Sequence, residues 1–365
     1  MKKAKNIVTV VLLAAFVLGL SVWAVVKPAD SLSTSERRPL SQFPSPSVQT
    51  VLNGKFMSAF EDYSLDQFPL RDRWRTLKAL AAYDLFRQRD NNGVYLSGGY
   101  AARLDYPLND SSIDYAAGRF QYVYDRYLAD TGSKVYLSVV PDKNYFLAAQ
   151  GSWPAFDSGE LVEKLLAQMD FATYLDIFPL LTVEDYYKTD SHWRQEKIVP
   201  VAQYLAQAMG TSISGQFTVN TLDVPYYGVY YGYAALPLPS ETIYYLTNAV
   251  LDGCTVRNYE EGTEGGIYDL DKGHGKDPYE LFLSGSVSLL TIENPNAATD
   301  KELIVFRDSY GSSLLPLLAE GYAKVTLVDI RYLPAARLGN FVDFHGQDVL
   351  FLYSTAVLNN SDTLK

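Results

Sequence analysis

Two short polar motifs contain the residue types needed for nucleophilic catalysis. The first runs from Lys188 to Trp193 and places Asp190 two residues before His192. In an extended loop this spacing points both side chains to the same side. A carboxylate beside an imidazole can fix its tautomer and stabilise the imidazolium ion. The same pattern also occurs in surface loops where the aspartate or the serine caps a helix, so the motif alone leaves both interpretations open.

The second motif follows an apolar strand predicted over residues 303–306. It reads Arg-Asp-Ser-Tyr-Gly over residues 307–311 and leads into a helix predicted to begin near Ser312. Ser309 therefore lies at the carboxyl end of a strand, where open α/β sheets bind their ligands. Backbone N–H groups and a helix dipole at such a position can stabilise an oxyanion. Alternatively, Ser309, Ser312 and Ser313 serve only as caps and turn residues.

A serine hydroxyl needs a base, and the chain contains only three histidines, His192, His274 and His345. His192, with Asp190 beside it, supplies both a base and the group that orients it. His274 lies in a glycine-containing loop. His345 follows Asp343 at the same two-residue spacing but is not followed by a predicted helix. Taken together, the two motifs predict Ser309 as nucleophile, His192 as base and Asp190 as orienting carboxylate, with His345 as a second candidate base.

The sequence does not predict a metal or cofactor site. Asp190, His192 and Asp308 could ligate a cation, but no multi-histidine spacing supports zinc. Cys254 is the single cysteine, which excludes internal disulfides and multi-cysteine zinc sites. We therefore expect the chemistry to be carried by side chains, without a cofactor.

The elements that must position these residues alternate between apolar strands and helices from about residue 110 onward. Strands are predicted at residues 135–140, 172–175, 303–306, 325–328 and 349–352. Helices are predicted after Ser112 and Ser158 as N-caps, over residues 195–209, and after Ser309. This alternation predicts an α/β sandwich with a mostly parallel sheet.

A membrane-anchoring helix is predicted at the start of the chain. Residues 7–26 carry no formal charge, and twenty residues of helix are long enough to span a bilayer. Lys2, Lys3 and Lys5 precede them, which by the positive-inside rule places the amino terminus in the cytoplasm and exports the rest. A cleaved signal peptide is the alternative. The length of the apolar segment and the absence of a clear Ala-x-Ala site favour an uncleaved anchor.

The sequence predicts three segments. Residues 1–27 form the signal anchor or signal peptide, and residues 28–92 form a juxtamembrane linker followed by N-terminal helices. The second of these helices is expected to carry an apolar stripe of Trp74, Leu77, Ala81 and Leu85. Residues 93–365 form the α/β domain, with a tyrosine-rich insertion around residues 211–280.

Composition narrows the classes of function. The 365 residues are 48% hydrophobic and 20% charged, which excludes a disordered chain. The net charge is −11, which argues against a nucleic-acid partner because nucleic-acid-binding surfaces are basic. Residues 1–27 carry four lysines and no acid, so the rest of the chain carries −15. An exported body this acidic disfavours an electrostatic grip on anionic polymers, unless a local basic groove exists.

The chain has 29 tyrosines against 17 phenylalanines, and several cluster over residues 226–233 and 244–245. A tyrosine combines an apolar ring with a polar hydroxyl, which suits contact with sugars. Tyrosines also pack well in strands and half-buried layers. The cluster is therefore compatible either with binding a neutral or weakly charged sugar or with simple packing.

The ordered set of motifs resembles the DHHW family of bacterial surface proteins, which are similar to the alginate O-acetyltransferases within the SGNH hydrolase-like superfamily. Residues 190–193 and 307–310 carry the resemblance most directly. Supporting blocks are residues 38–44, 60–71, 140–143, 227–228 and 329–332. Ser191 stands where the family name expects a second histidine, and Arg307 replaces the glycine of the superfamily's Gly-Asp-Ser motif.

The resemblance implies a flavodoxin-like α/β fold and a Ser-His-Asp acyl-transfer site. Ser309 would be the nucleophile, with the His192–Asp190 element preceding it in the chain as in the alginate acetyltransferases. Arg331 would stabilise an anion or position substrate, or form a structural salt bridge. Lys143 and Tyr227, from the matching blocks, would contact substrate or have structural roles.

The sequence therefore predicts an extracytoplasmic protein, anchored in the membrane or secreted, that transfers an O-acetyl group to a cell-surface polysaccharide or removes one. The predicted partners are the polysaccharide, an acyl donor and, by resemblance to the alginate system, a membrane-bound O-acyltransferase. The alternative is a non-catalytic glycan-binding or scaffold protein of a surface-polysaccharide assembly. Motifs alone do not separate transferase from esterase, because the two differ only in which acceptor reaches the acyl group.

Overall fold

The computed structural model of the protein describes residues 2–365, so Met1, which begins the predicted segment 1–27, lies outside the described residues. The chain forms two compact units. The smaller unit contains the residues up to Asn92 together with Tyr231–Pro237. The larger unit contains Gly93–Tyr230 and Leu238–Lys365 and holds all the residues of the predicted triad.

The smaller unit is mainly helical. Its helices are α1 (Lys2–Val26), α2 (Val48–Leu52), α3 (Lys55–Asp66) and α4 (Arg71–Leu80), and α4 continues into a π-helical turn over Ala81–Leu85; its short strands are β1 (Leu32–Ser33), β2 (Arg38–Pro39) and β3 (Asp90–Asn91). Helix α1 is apolar and long enough to cross a membrane, and a stretch of 18 residues within it has a mean hydropathy of 2.6. The predicted apolar helix is thus present.

The irregular segment after α1 is held to α3 by ionic contacts within the smaller unit. The guanidinium of Arg38 donates to both oxygens of Asp66, at 2.8 and 2.6 Å. The hydrogen bond from Arg38 holds the pKa of Asp66 well below its ordinary range. The stripe predicted on α4 does not become core, because Leu77 and Leu85 remain exposed.

The larger unit contains the remaining elements. Its strands are β4 (Val94–Ser97), β5 (Tyr100–Arg103), β6 (Val135–Val140), β7 (Thr173–Tyr174), β8 (Thr218–Thr221), β9 (Tyr244–Thr247), β10 (Thr255–Asn258), β11 (Thr263–Gly265), β12 (Leu289–Glu293), β13 (Glu302–Arg307), β14 (Lys324–Val328) and β15 (Asp348–Ser354). Its helices are α5 (Asp110–Val123), α6 (Lys143–Gly151), α7 (Ser158–Leu166), α8 (Val199–Ala208), α10 (Ala249–Asp252), α11 (Leu270–Gly273), α12 (Gly311–Leu318) and α13 (Thr355–Leu358), while α9 (Val229–Ala234) begins here and ends in the smaller unit.

An eight-stranded sheet with the order β11-β10-β12-β14-β13-β15-β6-β7 forms the centre of the larger unit. The five strands from β14 to β7 are parallel, and β12, β10 and β11 extend that sheet antiparallel at one edge. The predicted mostly parallel α/β sheet is confirmed. The antiparallel edge was not predicted, because its strands are short and lie largely in the tyrosine-rich segment without a clear alternating pattern.

The order of the strands places a topological switch point in the middle of the parallel sheet. The chain leaves β13 toward β14 on one side and leaves β6 toward β7 on the other side, with β15 between β13 and β6. Connections that leave in opposite directions open a crevice at the carboxyl ends of these central strands. Ser309 follows β13 by two residues and so lies at this crevice.

Helices cover both faces of the sheet and bury its alternating side chains. On β13, Leu303 and Val305 pack in one apolar cluster with residues of α8 and α12. Ile304 and Phe306 pack in a second cluster with residues of α5 and α7. Strand β13 is therefore buried on both faces, as expected for a central parallel strand.

Three predicted helix boundaries need correction. Helix α5 is capped by Asn109, whose side chain accepts from the Ser112 amide, while the Ser112 hydroxyl donates to Leu358 O instead. Helix α7 is capped by Asp157 rather than Ser158. The helix predicted over 195–209 is divided into a 3₁₀ turn over Gln195–Lys197 and α8, with Pro200 in its first turn, where a proline needs no N–H partner.

Candidate active site

The serine side of the site is a tight turn between β13 and α12. Asp308 is fully buried, and one of its carboxylate oxygens accepts from the Tyr310 amide at 3.0 Å. The other oxygen accepts from the Ser354 amide at 2.7 Å, at the end of the neighbouring strand β15. This carboxylate therefore fixes the position of Ser309 relative to two adjacent strands of the sheet.

The backbone amide of Ser309 differs from the amides that follow it in its hydrogen bonding. The next amides are engaged locally, since Gly311 N donates to Asp308 O and Ser312 N donates to Ser309 O. Within residues 2–365, no acceptor takes a hydrogen bond from Ser309 N. An N–H at the start of an eight-residue helix is suited to stabilise an oxyanion formed at Ser309.

Arg307, which stands where the superfamily motif has glycine, is fully buried beneath the turn. Its guanidinium donates to Ser312 Oγ at 3.2 Å and to the carbonyl oxygens of Gly285 and Val287 at 3.4 Å. Burial lowers its pKa. Arg307 thus supports the start of α12 from inside the unit.

The histidine side of the site comes from an irregular loop. His192 Nε2 lies 2.8 Å from Ser309 Oγ, and His192 Nδ1 lies 2.6 Å from Asp190 Oδ1. The side chain of Asp190 is only 2% exposed, and that of His192 is 15% exposed. The structure therefore brings Ser309, His192 and Asp190 together in one line of hydrogen-bonded groups with a partly accessible imidazole.

Backbone groups hold the carboxylate of Asp190 in place. Its Oδ2 accepts from the Val229 amide at 2.7 Å, and its Oδ1 also accepts from the His192 amide at 3.0 Å. The loop that supplies Val229 passes so close that a Cβ on Gly228 would collide with Thr189 and Asp190. Glycine at 228 is therefore required for this approach.

Glu241 is a second support that sequence reasoning missed. One of its oxygens accepts from the Lys188 amide and the other from the Thr189 amide, both at 2.7 Å. The Thr189 hydroxyl also donates to Glu241, at 2.7 Å. Glu241 thus fixes the two residues that precede Asp190. It lies outside any recognised motif, and no local pattern in the sequence marks it.

Lys143 is buried and does not face solvent. Its Nζ donates to the carbonyl oxygens of Ala101 at 2.5 Å, Tyr187 at 2.8 Å and Lys188 at 3.2 Å. Burial lowers the pKa of its ammonium group to about 8. Lys143 therefore links the start of α6 to the loop that carries His192, in a position that supports the loop from behind.

Aromatic rings enclose His192. Tyr279 stacks on its imidazole with ring centroids 4.0 Å apart and planes inclined by 14°. Tyr310 packs at a tilt with centroids 5.2 Å apart, and its hydroxyl donates to Ser191 O at 2.7 Å. Ser313 Oγ accepts a hydrogen bond from the indole N–H of Trp193 at 2.9 Å. The phenol oxygen of Tyr279 lies 2.8 Å from the same Ser313 Oγ. Ser313 is therefore a buried polar link behind the imidazole.

The other predicted residues lie around this centre. Arg331 forms a two-point ion pair with Asp329, at 2.9 Å from Nε and 2.6 Å from the terminal nitrogen. The side chain of Tyr227 is 40% exposed, next to Gly228. In the tyrosine cluster, Tyr226 packs edge-on against Tyr187 in a buried group.

The two remaining histidines lie away from Ser309. His274 Nε2 contacts Asp223 at 2.7 Å on an exposed surface. His345 lies 3.5 Å from Asp343 and 3.8 Å from Glu302, and more than half of its side chain is exposed. Both are histidine–carboxylate pairs, but neither is hydrogen-bonded to a serine hydroxyl in residues 2–365.

The sequence and the structure were compared with those of known proteins. Comparison of the sequence with protein-family models and with curated proteins gives no match. The structure resembles a DHHW family protein from Eubacterium siraeum, with a TM-score of 0.60 and 18% identity over 75% of this chain and 95% of the other. It also resembles Bacillus cereus PatB1, with a TM-score of 0.58 and 17% identity over 73% of this chain and 96% of the other.

PatB1 with a sulfonyl adduct gives a TM-score of 0.56 at 17% identity, over 73% of this chain and 97% of the other. The predicted resemblance to the DHHW family is confirmed at the level of the fold.

Proposed function

We propose that this protein is an extracytoplasmic enzyme that transfers an O-acetyl group to a cell-surface polysaccharide or removes one. The observation that carries this proposal is the line of contacts from Asp190 through His192 to Ser309, with hydrogen bonds of 2.6 and 2.8 Å. Its place at the switch point of a parallel sheet supports the proposal, because ligands of such folds bind there.

In the first half of the proposed reaction, Ser309 Oγ attacks the carbonyl carbon of an acyl donor. His192 Nε2 takes the hydroxyl proton, and Asp190 stabilises the resulting imidazolium through Nδ1–H. The negative charge that develops on the carbonyl oxygen faces the free Ser309 amide at the start of α12. Collapse of the tetrahedral intermediate returns the proton to the leaving group and leaves an acyl ester on Ser309.

In the second half, a hydroxyl group attacks the acyl ester. His192 takes the proton of this hydroxyl and then returns it to Ser309 Oγ as the ester bond breaks. A sugar hydroxyl makes the protein a transferase, and water makes it an esterase. Because both outcomes use the same three side chains, the acceptor that reaches the acyl group decides the reaction.

We also propose that α1 anchors the protein in the membrane, with the amino terminus in the cytoplasm and the larger unit outside. Its apolar length and the flanking lysines support this topology. Protease added to intact spheroplasts is expected to digest the larger unit. Protection of the larger unit until the membrane is lysed would contradict this orientation.

A transferase working outside the cytoplasm needs an acyl donor on that side. We propose that a membrane-bound O-acyltransferase supplies it, on the basis of the resemblance to the alginate system. Co-purification of the two proteins from detergent-solubilised membranes is the expected result.

The central experiment measures acyl-enzyme chemistry at Ser309. The full chain in detergent is incubated with a fluorophosphonate probe and separately with p-nitrophenyl acetate. The wild type is expected to be labelled and to release p-nitrophenol, and Ser309→Ala is expected to do neither. Ser214→Ala, at an exposed serine of the same unit, is the matched control and should behave as wild type.

Equal behaviour of the wild type and Ser309→Ala would overturn the enzyme proposal. It would favour the second function, a glycan-binding or scaffold protein in a surface-polysaccharide assembly.

A further inference from the structure

The guanidinium of Arg307 lies directly beneath the turn that carries Ser309. Arg307 is the last residue of β13 and is fully buried. The turn folds back onto its side chain so closely that a Cβ on Gly311 would lie 3.0 Å from Arg307 Cβ and 3.2 Å from Arg307 Cγ. From this position Nη1 donates to the carbonyl oxygen of Asp308 at 3.4 Å. The reaction proposed above does not use this buried cation.

The peptide group that Arg307 contacts is the one that carries the candidate oxyanion donor. Asp308 O and Ser309 N belong to the same peptide group, and in a trans peptide the carbonyl and the N–H point in opposite directions. Asp308 O also accepts from Gly311 N at 3.1 Å, whereas no acceptor in residues 2–365 takes a hydrogen bond from Ser309 N. Positive charge at the carbonyl oxygen draws electron density through the conjugated peptide group and makes the N–H a stronger donor.

Burial makes the charge of Arg307 effective at this distance. A contact of 3.4 Å is long for a hydrogen bond, so the main effect is electrostatic, and charges act more strongly in a buried environment than in water. The guanidinium stays charged because arginine is not deprotonated in proteins. In residues 2–365 its hydrogen bonds go to uncharged oxygens, namely Asp308 O, Ser312 Oγ, Gly285 O and Val287 O.

Arg307 also offsets negative charge near the reacting atoms. Two buried carboxylates, Asp308 and Asp329, and the guanidinium of Arg331 act on it electrostatically. These four side chains together are neutral, because they contain two carboxylates and two guanidiniums. Loss of the Arg307 charge would leave one net negative charge in this group, beside the place where the acyl carbonyl oxygen becomes an oxyanion. Like charge at that place opposes formation of the oxyanion.

We propose that Arg307 is a positioning residue for the oxyanion site, which strengthens the Ser309 N–H through the Asp308–Ser309 peptide group and stabilises the oxyanion by its charge. This inference rests on the proposed acyl-transfer function. Arg307 does not touch the reacting atoms. An oxyanion forms when Ser309 attacks the acyl donor and again when the acceptor attacks the acyl ester, so Arg307 assists both halves of the reaction.

The test separates the charge of Arg307 from its packing. The full chain in detergent receives p-nitrophenyl acetate, and kcat and KM are measured. Arg307→Gln keeps a polar side chain without charge and is expected to lower kcat by about tenfold, less than the loss of about 10²–10³-fold on removal of a whole oxyanion donor. Its KM is expected to stay within about twofold of the wild type, because both halves of the reaction lose the same stabilisation. Arg307→Lys retains the charge and is expected to keep at least about a third of the wild-type kcat.

Two controls measure what a merely structural role of Arg307 would do. Ser312→Ala removes the hydrogen bond from Nη1 to Ser312 Oγ at 3.2 Å but leaves the charge, so its kcat should stay within about twofold of the wild type. Arg337→Met, at an exposed arginine of the same unit, should match the wild type. Circular dichroism and urea unfolding identify the folded variants, and Arg307→Met is the second uncharged variant if Arg307→Gln does not fold.

The outcomes distinguish this inference from the proposed function. If the wild type releases no p-nitrophenol in a manner that depends on Ser309, the proposed function fails and this inference fails with it. If Ser309-dependent hydrolysis is present and the folded uncharged variant keeps the wild-type kcat, only the role of Arg307 is overturned. Equal losses in Arg307→Lys and the uncharged variant, or the same loss in Ser312→Ala, overturn it as well, because they assign the effect to packing rather than to charge.

Discussion

The two halves of the candidate site are positioned by different means. Ser309 follows a strand that is buried on both faces, and the carboxylate of Asp308 ties its turn to the neighbouring strand. His192 and Asp190 lie in a loop without regular structure, and the loop is held by Glu241, Lys143 and the backbone around Val229. The sheet fixes one half, whereas a set of individual hydrogen bonds fixes the other.

This difference shows which half of the site a single substitution can displace. Backbone pairing in a sheet is distributed over many bonds, so the strand that leads to Ser309 does not depend on a single side chain, and only the turn itself relies on the Asp308 carboxylate. In the histidine loop, a few buried polar groups each satisfy several backbone groups. Replacing any one of them should move His192 relative to Ser309 without unfolding the sheet.

The largest effect is expected from removing the base. His192→Ala should lower kcat for p-nitrophenyl acetate by on the order of 10³-fold or more, because Ser309 then has no group to accept its proton. His274→Ala is the matched control, since His274 also contacts an aspartate, at 2.7 Å, yet on an exposed surface. A similar loss in both variants would mean that the effect is not specific to the site.

A stability effect is expected from Lys143→Met. The substitution removes the donor shared by three backbone carbonyls, two of them buried, and should lower the free energy of unfolding by about 2 kcal/mol at pH 7. Urea unfolding of the full chain measures it, with Lys197→Met at an exposed lysine as control. An unchanged free energy of unfolding would show that Lys143 does not support the loop.

The wild type and Lys143→Met also test how the free energy of unfolding depends on pH. The pKa of Lys143 in the folded protein, about 8, lies below its ordinary value of 10.5. The unfolded chain therefore binds this proton more tightly, and the free energy of unfolding of the wild type should rise relative to that of Lys143→Met between about pH 8 and pH 10.5. A difference that stays constant or falls over this window would contradict the direction of the shift.

An intermediate effect on activity is expected from Glu241→Ala. It removes the acceptor for the Lys188 and Thr189 amides and should lower kcat by about tenfold through misplacement of His192, with the fold retained. Steady-state kinetics and circular dichroism measure both. Glu264→Ala, on the exposed strand β11, is the control. If kcat of Glu241→Ala matches that of the wild type, individual hydrogen bonds do not set the position of the loop.

The smallest effect is expected at Tyr279, whose ring faces the imidazole. Aromatic ring contacts contribute about 0.5–1.5 kcal/mol, so Tyr279→Leu should lower kcat for p-nitrophenyl acetate by about threefold because the imidazole loses the ring that fixes its plane. Tyr279→Phe keeps the ring and loses only the contact with Ser313, so it should keep the wild-type kcat. Equal losses of kcat in the two variants would assign the effect to the hydroxyl.

The sequence predicted the serine half better than the histidine half. The apolar pattern over residues 303–306 and the polar turn after it placed Ser309 at the end of a strand, because alternation of apolar strands and helices is a local signal. The Asp-x-His spacing indicated one side of a loop, but the partners of that loop come from distant segments. Glu241 is more than 50 residues from Thr189, and nothing near it in the sequence signals the contact.

Other parts of the fold were also beyond local patterns. The antiparallel strands β10 and β11 are only four and three residues long, too short to show a clear alternation. The caps of α5 and α7 were misplaced because asparagine and aspartate stood next to serines that are equally good candidates. A helix was predicted correctly from the apolar stripe of Trp74, Leu77, Ala81 and Leu85. Periodicity alone does not show whether another part of the protein covers this stripe.

The pairing of β6 with β15 has a consequence for biosynthesis. These neighbours in the sheet are more than 200 residues apart in the chain, and the partner of Val135 is Val349. Chains dominated by such distant pairings fold slowly, because a long loop must close before the contact forms. During synthesis the edge of β6 that pairs with β15 therefore stays unpaired until residues 348–354 have been made. A ribosome that stalls before residue 348 would release a fragment with an open, aggregation-prone edge and without the Ser354 amide that holds the carboxylate of Asp308.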